Sequence, residues 1–65
     1  MNVILNGGTI ETDATTLDQL IQSLGYGGKK IAAAVNGKFV DNQSYSTLTL
    51  EDGAEVEIVA PMQGG

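Results

Sequence analysis

Chemistry in this chain converges on its last residues. The sequence closes on Gln63-Gly64-Gly65, and a Gly-Gly end presents an α-carboxylate that no side chain crowds. The side chains that usually carry covalent chemistry are missing, because the 65 residues include no Cys and no His. Ser44, Tyr45 and Ser46 offer hydroxyls, but without a His no conventional base-activated nucleophile can be assembled. Asp41, Glu51 and Asp52 have a spacing that matches no calcium loop. They read as solvated turn charges, and no metal site is expected. If the protein takes part in a covalent reaction, the expected reacting atom is the carboxyl carbon of Gly65. The other reading of these residues is a frayed, small-residue tail, common at termini. The protein itself is not expected to be an enzyme.

A chain of 65 residues makes at most one domain, and a domain this small buries only about 60% of its unfolded surface. With no Cys to staple it, stability must come from one compact core. Eight acids against three bases give a net charge of −5. Nucleic acid is then an unexpected partner, since phosphate contacts need clustered Lys and Arg. The one basic pair, Lys29-Lys30, reads as a solvated turn. An acidic surface favours encounter with basic protein surfaces instead. No apolar run approaches the ~18–20 residues of a membrane span, and the first residues lack the basic start and apolar stretch of a secretion signal. A soluble, cytoplasmic protein with no membrane contact is expected.

Alternation predicts a strand over residues 2–6, with Val3 and Leu5 on one face and Ile4 on the other. Asn6-Gly7-Gly8 has the composition of a tight hairpin turn, and residues 9–12 return as a second strand. Thr15 with Asp18, or Thr16 with Gln19, has the spacing of a capping box. Leu17, Leu20, Ile21 and Leu24 then form one apolar helical stripe, with Gly25 placed to end the helix. The apolar run from Ile31 to Val35 suits a strand covered on part of both faces. Asn36-Gly37 turns it into Lys38-Phe39-Val40. Residues 41–49 look irregular, anchored by Tyr45 and Leu48, and Glu51-Asp52-Gly53 turns into a last strand from Glu55 to Ala60. Pro61 ends it, having no N–H to donate. Two hairpins flanking one helix require that helix to cross one face of a single mixed sheet. The first and last strands then lie parallel in the middle. This is an α+β chain of the β-grasp type, with four to five strands. Its core is expected to hold Val3, Leu5, Leu17, Leu20, Ile21, Leu24, Val35, Val56 and Ile58. The division expected is a domain over 1–60 and a flexible tail over 61–65.

The β-grasp order, the small acidic body and the Gly-Gly end resemble the ubiquitin-like sulfur carriers, most closely the ThiS family of thiamine biosynthesis. Three stretches carry the resemblance: residues 35–40 (Val35-Asn36-Gly37-Lys38-Phe39-Val40), the turn and strand from Leu50 to Val59, and Ala60-Pro61-Met62-Gln63-Gly64-Gly65. Asp41-Asn42 departs from the Pro-Arg often found after the central hairpin of that family. The resemblance implies that a ThiF-like adenylating enzyme uses ATP to activate the Gly65 carboxylate. An ionised carboxylate otherwise resists nucleophilic attack and has no leaving group. It further implies that a persulfide sulfur donor, a cysteine desulfurase or similar, converts Gly65 to a thiocarboxylate whose sulfur passes to thiazole synthase. No cofactor is expected to stay bound. Pro61, Met62, Gln63 and Gly64 are the expected tail-recognition residues, and the extended reach of Pro61 to Gly65 is about 16 Å. Glycines without Cβ suit a narrow channel.

Strand alternation places Ile4, Val59 and one or both of Ala32 and Ala34 on the face away from the helix, and Phe39 or Val40 extends them. They are the expected partner-docking patch. Three alternatives share parts of this pattern: a molybdopterin-synthase-type sulfur carrier, a ubiquitin-like protein modifier, and a binding module with an inert tail.

Overall fold

A computed structural model describes residues 1–60. The expectations for Pro61, Met62, Gln63, Gly64 and Gly65 lie outside the described residues. Strands β1 (Asn2–Leu5), β2 (Gly8–Glu11), β3 (Ala32–Val35), β4 (Lys38–Val40) and β5 (Glu55–Val59) form one five-stranded sheet in the order β2-β1-β5-β3-β4. The central pair β1 and β5 runs parallel, with Ile4 opposite Glu55 and Leu5 opposite Val56, and the other pairings are antiparallel. Helix α1 (Leu17–Ser23) crosses one face. The architecture is the mixed β-grasp sheet that the hairpin–helix–hairpin order requires.

Both hairpins turn on an Asn-Gly pair. Asn6 and Asn36 have φ of 50° and 53°, and the glycines after them have φ of 86° and 82°. Two consecutive positive-φ residues match the right-handed twist of the flanking strands, and Asn-Gly adopts them at least cost. The helix begins on the second of the two caps that the sequence allowed. Thr16 is the N-cap, and its Oγ1 accepts the Gln19 N–H at 3.2 Å. The return bond of the box is displaced by one residue: Gln19 Oε1 accepts from the Thr15 N–H at 2.7 Å and from its hydroxyl at 2.9 Å. The next orphan donors are met by the long loop. The N–H groups of Leu17 and Asp18 donate to the carbonyls of Leu48 and Tyr45 at 3.0 and 2.9 Å. At the other end Gly25, φ 86°, follows the C-cap Leu24. The Gly25 N–H bonds Gln22 O and the Tyr26 N–H bonds Ile21 O, each at 3.1 Å, which is the Schellman pattern.

Leu17, Leu20, Val3 and Val56 are the largest fully enclosed side chains. Ile21 and Ile58 join them, while Leu5, Leu24 and Val35 are partly buried against the cluster. Ala14, Ala33, Val40, Leu50 and Ala54 complete the core, and none of them stands out by periodicity because they lie in short or irregular stretches. Segment 41–49 is more ordered than its composition implies. Asn42–Ser44 forms a 3-10 turn, Tyr45 is buried, and Thr16 bridges Thr49. The β3 run is covered on the helix face and in part on the other. Ala33 is buried, Ala32 and Ala34 are partly open, and the small side chains leave a hollow on the side away from the helix.

Candidate functional site

The sheet face opposite α1 carries the exposed apolar surface. Phe39 is 75% exposed and Val59 is 63% exposed, the largest apolar side chains left open among the described residues. Both follow from register: Ala34 pairs Phe39 and Glu57, and Ala32 pairs Val59, so their side chains share one face. Val40 does not join them. It pairs Ala33, points to the helix side and is buried, because one step along a strand reverses the face.

Ala32, Ala34, Phe39 and Val59 line one open depression of about 540 Å³ together with Asn6 and Glu57. Two features of the sequence create it. The floor is low because β3 is alanine at 32, 33 and 34. One side is open because β1 stops at Leu5 while β5 continues to Val59. Asn6 covers the backbone of β5 that β1 leaves unpaired: its Nδ2 donates to Ile58 O at 3.1 Å, and its Oδ1 accepts the Ile58 N–H at 3.0 Å. A side-chain amide thus adds one more rung to the β1–β5 ladder and then yields to the turn.

Of the five residues expected in the patch, Ile4 lies apart. It sits on the same face but opposite Glu55, four residues back along β5 from Val59, or about 13 Å at strand rise. The carboxylates of Glu55 and Glu57 are on the outer face between them. Alternation gives the face of each residue but not the offset of a parallel pair, and the offset separates Ile4 from the others. Conversely, Asn6 and Glu57 were not singled out from sequence as part of the patch. The turn role of Asn6 and the polar character of Glu57 concealed positions that only the register reveals.

A second depression, about 440 Å³, is lined by Gly28, Lys29, Lys30, Ile31, Ala32, Asn42 and Tyr45. Ala32 belongs to both hollows. Lys29 and Lys30 precede Ala32 in sequence and line this neighbouring hollow. Asp52 serves the fold: its Oδ1 accepts the Asn2 N–H at 2.7 Å. Among the described residues, no three His, Cys, Asp or Glu side chains form a possible metal site, and no helix is long and apolar enough to cross a membrane.

The geometry has close counterparts. The crystal structure of the thiamine biosynthesis protein ThiS from Geobacter metallireducens superposes with a TM-score of 0.83 at 25% identity, each chain covering 100% of the other. The solution structure of a thiamine biosynthesis protein from the same organism gives 0.82 at 25% identity, covering all of this chain and 88% of that one. In sequence, the whole chain is 33% identical over 66 residues to a thiazole synthase of Paramagnetospirillum magneticum and 32% identical to one of Magnetococcus marinus. The chain spans about a fifth of the length of these curated relatives, 20% of each. The model of the ThiS family matches residues 3–65, from the first strand through Gly65. On that match, this chain belongs to the ThiS family.

Proposed function

We propose that the protein is a sulfur carrier of thiamine biosynthesis, acted on by other enzymes rather than acting as one, and that Gly65 bears the sulfur. The observation that carries this reading is the family match running through the Gly64-Gly65 end, in a chain with no Cys or His to supply another covalent route. A Gly65 carboxylate oxygen attacks the α-phosphorus of ATP on a ThiF-like adenylating enzyme, and pyrophosphate leaves. The terminal sulfur of a donor persulfide, from a cysteine desulfurase or similar, attacks the acyl carbon and AMP leaves. A second thiol cleaves the resulting S–S bond, forming a disulfide and freeing the Gly65 thiocarboxylate. The sulfur then passes to the recipient, the C–S bond at Gly65 breaks, and an oxygen from water or from the acceptor takes its place to restore the carboxylate. Thiazole synthase as recipient is supported by two proteins of that name in which a stretch similar to this chain makes up a fifth of the length. The setting is the cytoplasm, where ATP is available.

The folded body provides recognition in this scheme. The open depression is lined by Val59, the last residue of β5, which stands six residues before Gly65 in sequence. An exposed apolar cluster of this kind is a common docking surface. Deleting Gly65, or adding one alanine after it, should abolish rescue of thiamine-requiring cells. Rescue equal to that by the intact chain would refute the assignment.

A further inference from the structure

The open face changes character along its length, and Glu57 stands at the change. Toward the end of β5 the face is apolar, with Ala32, Ala34, Phe39 and Val59. Toward the start of β5 it carries Glu55. Glu57 is exposed, pairs Ala34 in the ladder, and lines the apolar hollow itself. A protein that covers Phe39 and Val59 closely also approaches this carboxylate. An ionised carboxylate buried without a counter-charge costs several kcal/mol of binding. A partner that brings a cation to Glu57 offsets that cost.

We infer that Glu57 is a specificity-determining residue of the docking face, selecting a protein surface in which an apolar side chain is flanked by an arginine or lysine. The inference rests on the docking role proposed above for the open face. The sign pattern also orients the partner. Lys29 and Lys30 line the neighbouring hollow, which shares Ala32 with the first, so a partner that covers both hollows meets an acid in one and two bases in the other. A partner surface of matching polarity fits one way round, and reversal would set like charges against each other. Net charge is a separate effect: a chain of net −5 is steered toward any basic surface, wherever its acids lie.

The test is ATP–pyrophosphate exchange by the cognate ThiF-like adenylating enzyme, with this chain as the varied substrate at several salt concentrations. Glu57→Gln should raise the KM for the carrier about tenfold, leave kcat unchanged and flatten the salt dependence, as expected when a charge-assisted contact is lost. Glu57→Asp should retain most of the affinity. Glu11→Gln removes the same charge from the same face on β2, away from the hollow, and should change KM less than about twofold, the level of a steering effect. Equal effects of Glu57→Gln and Glu11→Gln would overturn the inference while leaving the carrier reading intact. Absence of exchange with the unaltered chain would overturn the carrier reading, and the inference with it.

Discussion

Val56 and Val59 lie on the same strand and carry the same side chain, yet Val56 is fully buried and Val59 is 63% exposed. The difference is parity. Val56 and Ile58 face α1 and close the core, whereas Glu55, Glu57 and Val59 face outward. One face of the sheet holds the domain together by burying aliphatic side chains. The other is free of that duty and can be spent on recognition. A mutation should therefore cost stability or partner binding according to the face it touches, with little of both.

The sharpest way to break this contrast is to damage the helix-covered face. Leu20→Ala removes a fully enclosed side chain and should destabilise by about 2–5 kcal/mol. That is a large share of the ~3–10 kcal/mol expected for a chain of this size, and urea denaturation measures it. Asn6→Ala should come next, at about 2 kcal/mol, because alanine tolerates positive φ less well than asparagine and because both bonds to Ile58 are removed. Asn6→Gly keeps the turn and should lose only about 1 kcal/mol. Thr16→Ala removes the N-cap acceptor of the Gln19 N–H and should cost about 1 kcal/mol. The smallest stability change is expected for Val59→Glu, within about 0.5 kcal/mol, although it should raise the carrier KM for adenylation. A large loss of stability in Val59→Glu, or unchanged adenylation, would remove the division of labour between the faces. Ile4→Thr should leave adenylation unchanged, because Ile4 lies away from the hollow.

The elements that were legible in sequence are those with a local signature. The two Asn-Gly turns, the Thr16–Gln19 cap, the leucine stripe and the alternation of β5 each declare themselves within a few residues, and hairpin–helix–hairpin order then leaves one sensible sheet. The same alternation gave Val59 with one or both of Ala32 and Ala34 but left Phe39 and Val40 as alternatives, which the pairing of Val40 with the buried Ala33 decides. Three features resisted. The 3-10 turn at Asn42–Ser44 and the docking of Tyr45 and Leu48 carbonyls onto α1 depend on contacts distant in sequence. The separation of Ile4 from Val59 depends on the stagger of a parallel pair, which no local pattern encodes. Asn6 does two jobs, of which only the turn leaves a compositional trace; its pairing with Ile58 spans 52 residues.

Gly65 is the point on which the functional account turns, and its chemistry leaves a mass. After incubation with the adenylating enzyme, ATP and a persulfide donor, the peptide containing Gly65 should gain about 16 Da, with fragmentation placing the change on Gly65 and not on Met62, where oxidation to the sulfoxide would mimic it. The gain should vanish when ATP is withheld. An unchanged mass with every component present, or a gain confined to Met62, would contradict the account.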